Sequence, residues 1–324
     1  MTERELTFID LFCGIGSFHH SLSKLGMKCI FACDINEDCR NTYERNYGMR
    51  PAGDICKINI ADVPSFDILC AGFPCQPFSV AGHHKGFEDS RGGMFFEVMR
   101  FVDHHIPSCI ILENVAGLEN HDGGKTLKRM IDMLEEKKYN VIKRVLVCSD
   151  YGIPQMRKRL FIIATNFKVT ESVLNFEQIP SKSLTHYLND GRSDNEKVIM
   201  KEKEIAYTIR CGGRYSNIND GHNWDGYYAT KFSDPINEFV YRLSIKDCLK
   251  LQGFDENKFV LVGSDKAKWK MVGNTIPTNL TFLVGNSVRN LLLLSSQISK
   301  RGLINEEDND NKIITKKIKI KDKD

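Results

Sequence analysis

No apolar stretch in this sequence is long enough to span a membrane, and its start, Met1-Thr2-Glu3-Arg4-Glu5-Leu6, has no secretory signal pattern. No Cys-x-x-Cys pair occurs. The eleven cysteines are an odd number and follow no disulfide-framework spacing. A reducing compartment is therefore expected, the cytoplasm of a bacterial cell or viral host, or the nucleus if the source is eukaryotic. Cys29, Cys33 and Cys39 are close together, but their spacing fits no common zinc pattern, so no metal site is expected. Internal repeats are absent. Charge of one sign is also lacking: the formal net charge is +3, too small by itself to argue for nucleic acid. These exclusions leave a globular chain of 324 residues, 41% hydrophobic and 27% charged, with room for one large domain and a smaller one.

The chain is organised around the apolar run Phe66-Asp67-Ile68-Leu69-Cys70-Ala71-Gly72 and the loop Phe73-Pro74-Cys75-Gln76-Pro77-Phe78-Ser79. The run predicts a buried parallel strand, closed by Gly and Pro. It delivers Cys75 beyond the strand's C-terminal end, where open α/β sheets place their chemistry. A loop cysteine between restricted neighbours is a candidate thiolate nucleophile. Taken alone it is equally a small buried hydrophobe.

Other segments converge on the same sheet edge. A first strand, Leu6–Phe12, turns through Cys13-Gly14-Ile15-Gly16-Ser17 into a helix. Glycines there allow a tight turn and close approach of a ligand, although the third glycine of a dinucleotide fingerprint is missing. The next strand, Lys28–Cys33, ends at Asp34, placed to accept from ribose hydroxyls or to cap the following helix. Gly53-Asp54-Ile55 closes a third segment, where Asp54 could take a donor from an adenine amino group. The glycine-rich stretch Gly82–Gly93 reads as a lid or as a plain surface loop. A helix from Met94 precedes the strand Ser108–Leu112, which presents Glu113-Asn114-Val115. Glu113 there can exchange a proton or serve as a structural carboxylate. Further on, Arg157 and Arg159 flank the start of the strand Leu160–Ala164; two arginines on one face suit phosphate and a carbonyl oxygen, or form an edge-strand charge pair.

From Thr165 the βα alternation stops. Tyr207–Tyr215, with Arg210 and Arg214, and His222–Tyr228 interleave arginine, amide and aromatic groups, chemistry that suits groove reading or an ordinary β-rich insertion. A helix over Ser244–Leu251 ends at Gln252-Gly253-Phe254, and Gly273-Asn274-Thr275-Ile276-Pro277 opens a final helix. Residues 305–324, acidic then lysine-rich, are expected to be a disordered charged tail.

With these pieces in order the chain resembles the cytosine carbon-5 DNA methyltransferases of restriction-modification type. The match runs through Phe12-Cys13-Gly14-Ile15-Gly16, Asp34, Gly53-Asp54-Ile55, Pro74-Cys75-Gln76, Glu113-Asn114-Val115, Gln155-x-Arg157-x-Arg159, Gln252-Gly253-Phe254 and Gly273-Asn274-Thr275. Ser17, Thr275 and Asp34 depart from the commoner glycine, serine and glutamate. The resemblance implies an α/β, Rossmann-like S-adenosyl-L-methionine-dependent methyltransferase domain with a mixed, mostly parallel sheet. A small, irregular β-rich target-recognition domain would accompany it. Residues 1–165 and 270–304 would form the catalytic and cofactor-binding domain, and 166–269 the recognition domain with the hinge.

Carried over by position, the resemblance implies that Phe12, Gly14, Ile15, Gly16, Asp34, Ile35, Asp54, Ile55, Met94 and Asn274 bind the cofactor. Cys75 would attack carbon-6 of a cytosine flipped from the duplex. Glu113 would hold or protonate ring nitrogen-3, Arg159 would contact the ring carbonyl oxygen, and Arg157 would support the loop or thiolate. Phe73 would accept from the exocyclic amine, and Ser79 would lie near a backbone phosphate, while Arg210 and Arg214 read the DNA. The implied partners are double-stranded DNA and a cognate restriction endonuclease, the latter genetic and not physical; no membrane is involved and the protein is expected to be a monomer. Two rivals stay open. A tRNA-methylating branch shares the catalytic motifs, but its Cys-Phe-Thr signature is missing between 165 and 240. A non-catalytic DNA-binding protein could also use the same fold.

Overall fold

The structure, a computed structural model, describes residues 4–74, 93–182, 184–187, 205–206, 208–210 and 243–300. Cys75, Ser79, Arg214 and nearly all of the Gly82–Gly93 stretch lie outside the described residues.

Six strands form one sheet: β1 (Thr7–Leu11), β2 (Lys28–Cys33), β3 (Ile68–Ala71), β4 (Cys109–Val115), β5 (Asn140–Val147) and β6 (Lys158–Thr165), in the order β2-β1-β3-β4-β6-β5. The pairs β1–β2, β1–β3 and β3–β4 are parallel. β6 runs antiparallel to both β4 and β5. Two consequences place the site. The chain order reverses beside β1, so a crevice opens outside the C-terminal ends of β1 and β3. Because β6 is reversed, its beginning lies at the same edge as the end of β4, with Arg159 opposite Val115 and Phe161 opposite Glu113.

The central strands are apolar almost throughout because helices cover both faces. Alternate residues serve opposite sides. Phe8, Ile68, Cys70, Cys109 and Ile111 belong to one core, and Ile9, Leu69, Ala71, Ile110 and Leu112 to the other. The second core is closed by α3 (Met94–His105) and α4 (Lys125–Glu136), which bury Phe95, Val98 and Phe101, and Leu127, Met130 and Leu134. The first is closed by α1 (Ser17–Lys24) and α7 (Thr278–Lys300), the latter burying Leu280, Val284, Val288 and Leu291 at helical spacing. The Ser17 hydroxyl donates to the Ile276 carbonyl at 2.7 Å, and Ser21 pairs with Thr281 at 2.6 Å. These bonds fix the returning C-terminal segment against the glycine turn.

α2 (Glu37–Tyr47) begins at Asn36, whose side chain accepts from Cys39 N, and ends at Gly48 with φ 68°. α5 (Ile245–Leu251) starts with a reciprocal capping box between Ser244 and Asp247. Leu243, Cys248, Leu249, Leu251 and Phe254 share the core of α1 and α7. A further helix, α6 (Asp265–Asn274), carries Asn274 to its position. It had no strong sequence signal, since a lysine-rich face leaves it only Met271, Val272 and Gly273 buried. Among the described residues no helix is long and apolar enough to cross a membrane.

Candidate active site

A cavity of about 520 Å³ opens at the C-terminal edge of β1–β4. Its wall includes Phe12, Gly14, Ile15, Asp34, Ile35, Phe73, Glu113, Arg159 and Asn274, nine of the residues singled out from sequence.

The glycine turn forms one side. Phe12, Gly14 and Gly16 have φ of 54°, 53° and 88°, so the backbone folds back sharply between β1 and α1. Asp34 holds this turn from the end of β2: one carboxylate oxygen accepts from Gly14 N at 2.8 Å and the other from Asn36 N at 2.8 Å. It is therefore not the cap of α2; Asn36 takes that role. Burial pushes the Asp34 carboxyl up, against the pull of those two N–H donors.

Behind the turn stands an aromatic pillar. The Tyr47 hydroxyl donates to the carbonyls of Gly16 at 3.0 Å and Ile15 at 3.3 Å. His19 stacks on its ring at 4.1 Å between centroids and pairs through Nδ1 with the Tyr43 hydroxyl at 2.7 Å. A Cβ at Gly16 would lie 2.4 Å from the Tyr47 ring, so this glycine is required by contact as well as by φ. Burial lowers the His19 pKa to about 4, which keeps the imidazole neutral.

The opposite side carries a buried ion pair. Arg159 Nε meets Glu113 Oε1 at 2.7 Å, with both side chains largely buried. Burial raises the Glu113 carboxyl, and Arg159 and then Arg157 pull it back down. A carboxyl so poised can give or take a proton more readily than an exposed one. The approach is close: a Cβ on Gly72 would lie 3.3 Å from Glu113 Oε2 and 3.1 Å from Ile276. Asn114, next in β4, donates Nδ2 to the Phe73 carbonyl at 3.0 Å.

Other expected site residues lie elsewhere. Arg157 is buried behind the wall and donates to the carbonyls of Ile209 and Gly273. Gly16 backs onto Tyr47 and does not line the cavity. Asp54 accepts from Cys56 N at 3.1 Å, Ile55 is buried in the core, and Met94 starts α3; none of the three is in the wall. Arg210 is exposed at the end of the described segment 208–210.

Two charged wall residues escaped the sequence reading. Asp10 is buried in β1, raised well above the ordinary carboxyl value by burial, and has Oδ2 without a hydrogen-bond partner. An acid inside the apolar run Leu6–Phe12 was the available signal. Lys270 reaches the wall from α6, one helical turn before Asn274. Among the described residues no cluster of His, Cys, Asp and Glu could hold a metal ion.

The cavity fits S-adenosyl-L-methionine. It offers a carboxylate at the end of β2 for a ribose diol, a partnerless buried carboxylate oxygen on Asp10 for a cationic group, and Ile35 for a flat heterocycle; the Ile35 side chain is 74% exposed at the wall.

The family model described as C-5 cytosine-specific DNA methylase matches residues 6–238. The type II methyltransferase M.DsaV of Dactylococcopsis salina is 32% identical over 316 residues, covering 92% of this chain and 90% of that protein. M.HpaII of Haemophilus parainfluenzae is 36% identical over 308 residues, covering 84% and 86%. The crystal structure of the S. pombe Dnmt2 methyltransferase shares the fold, with a TM-score of 0.70 at 22% identity over 89% of this chain and 99% of that one. The family model spans most of the chain, and relatives of 32% and 36% identity cover more than four fifths of it, so the chain belongs to the C-5 cytosine-specific DNA methylases, as a DNA cytosine-5-methyltransferase of restriction-modification type.

Proposed function

We propose that the protein methylates one cytosine within a short duplex motif by covalent catalysis from Cys75. The observation that carries this reading is the Glu113–Arg159 pair at 2.7 Å, facing the same cavity as Phe73, two residues before Cys75. Carbon-5 of cytosine is a weak nucleophile. Addition of the Cys75 thiolate to carbon-6 moves ring electron density onto carbon-5, splitting one hard step into easier ones. Glu113, raised by burial, faces ring nitrogen-3, where it can deliver a proton and stabilise the charge that develops. Arg159 orients Glu113 and reaches the ring carbonyl oxygen. The Phe73 carbonyl keeps one lone pair beyond its bond to Asn114, enough to accept from the exocyclic amine and favour cytosine. Loss of the carbon-5 proton and expulsion of the thiolate complete the cycle. The base must leave the stack for any of this, with Ser79 near a phosphate.

S-adenosyl-L-methionine, when bound, supplies an electrophilic methyl group. Phe12, Gly14, Ile15, Asp34, Ile35 and Asn274 would hold it directly. Gly16 acts through the turn, and Asp54, Ile55 and Met94 support the adenine end from outside the described wall. Arg157 acts as a positioning residue. Residues 1–165 and 270–304 form the catalytic domain, and recognition falls within 166–269, where Arg210 and Arg214 read the duplex. The protein works as a monomer, with a cognate endonuclease as its genetic partner.

The test is methyl transfer from labelled S-adenosyl-L-methionine to duplex DNA and separately to total tRNA, with 5-methylcytosine mapped by sequencing. Label at one short DNA motif is expected. Label confined to tRNA would replace the substrate, and cofactor binding without transfer to either would leave a non-catalytic DNA-binding protein.

A further inference from the structure

One buried guanidinium joins two distant parts of this site. Arg157 is 1% exposed, and donates Nη1 to the Ile209 carbonyl at 2.6 Å and Nη2 to the Gly273 carbonyl at 2.8 Å. Those carbonyls belong to the residues immediately before Arg210 and Asn274. Gln155, fully buried, makes a second tie: its Oε1 accepts from Ile209 N at 3.2 Å and its Nε2 donates to the Leu251 carbonyl at 2.8 Å. Next to it, Gln252 donates to the Val272 carbonyl at 2.8 Å. Ala206 and Thr208 are further strapped to the chain before β6 by Met156 N to the Ala206 carbonyl at 2.8 Å, Ala206 N to the Pro154 carbonyl at 2.7 Å, and Thr208 Oγ1 to the Met156 carbonyl at 2.7 Å.

Gln155, Arg157, Ala206, Ile209, Leu251, Gln252, Val272 and Gly273 thus meet in one buried polar knot within an apolar core. Burying a guanidinium and two amides there is costly unless their donors are met. Its planar fork fixes the directions of both carbonyls at once. Displacing either acceptor therefore leaves a buried donor unmet, so the two ends move together or not at all.

We infer that Arg157 and Gln155 are positioning residues that couple duplex DNA at Arg210 to cofactor affinity at Asn274. The inference rests on the proposed roles of Arg210 and of the cavity. A duplex that engages Arg210 constrains Ile209; through the knot it constrains Gly273 and the side chain that follows it. By reciprocity, each ligand then tightens the other by the same factor. Neither Arg157 nor Gln155 lines the cavity, so their loss changes the coupling without removing a ligand contact.

The experiment is calorimetric titration of S-adenosyl-L-homocysteine into the full chain, alone and saturated with a duplex carrying the motif mapped above. In the wild type, DNA is expected to tighten binding about tenfold. In Gln155→Met, which keeps the volume and loses both amide bonds, affinity without DNA should stay within about twofold and the DNA effect should vanish. Arg157→Lys, able to reach one carbonyl but not both, should behave alike; if it fails to fold, Gln155→Met decides. Variants that keep the full DNA effect overturn the inference. So does a wild type that binds both ligands independently, or a variant that loses affinity equally with and without DNA. A wild type that binds neither ligand removes the underlying reading of the site as well.

Discussion

The side-chain amide of Asn114 donates to the main-chain carbonyl of Phe73 across 3.0 Å, tying the end of β4 to the chain leaving β3. Asn114 also accepts from Val115 N at 2.9 Å, so its amide is held from both ends. Cys75 lies two residues beyond this anchor. Asn114→Leu should therefore release the loop base, at a position that itself lines the cavity beside Phe73. A misplacement of the order of 1 Å at a reacting atom costs about a hundredfold in rate. Single-turnover methylation at saturating cofactor should slow by about that factor. An unchanged rate would show that the loop is positioned by something else.

Tyr47→Phe removes the hydroxyl that anchors the Ile15 and Gly16 carbonyls but keeps the ring stacked on His19. Loss of one such bond is worth about 1 kcal/mol. KM for S-adenosyl-L-methionine should rise about fivefold with kcat unchanged. Gly16→Ala is harsher, because its Cβ would lie 2.4 Å from the Tyr47 ring at a φ of 88°. Urea unfolding should register a loss of about 2 kcal/mol, and equal midpoints and slopes would contradict the pillar.

Ile35 is an apolar side chain left 74% exposed at the cavity wall. Exposure means that it contributes little to folding. Ile35→Ala should leave the thermal midpoint in place while cofactor KM rises several-fold. A fall in midpoint with no change in KM would assign the residue to packing instead.

The pH dependence of stability carries two opposing signatures. His19 is lowered from 6.5 to about 4 by burial, so the unfolded chain takes up a proton that the folded chain refuses. Its contribution is complete above pH 6.5 and is lost as pH falls toward 4. Glu113 is raised from 4.5, so its contribution is present below 4.5 and is lost as pH rises through the higher folded value. Unfolding free energies for wild type and His19→Phe, measured across pH 4 to 7, should show a gap that changes in the wild type's disfavour as pH falls. The same series for Glu113→Gln should show the opposite slope. A gap independent of pH in both would refute the burial argument.

The elements that local chemistry dictates were legible in the chain itself. Apolar runs announce β1, β3 and β4 because strands covered on both faces have no polar side to show. Gly14 and Gly16 announce a turn because their φ values are open to few other residues. The acid at the end of β2 follows from where that strand stops, whereas Glu113, expected just past a strand ending at Leu112, lies within β4, which runs to Val115. Partnership was not legible. Asp34 reads equally as a helix cap, and only the packing of β2 beside β1 hands it Gly14. Arg157 and Arg159 read as an equivalent pair, yet one lies outside β6 in the core and the other opposes the end of β4. The reversed β6 decides this, since strand direction is set by how buried surfaces and hydrogen-bonding edges are satisfied across the whole sheet. Local periodicity specifies which residues are in strands and helices; the long-range closure of the core specifies which side chains meet, and so separates the arginine that faces the cavity from the one that braces it.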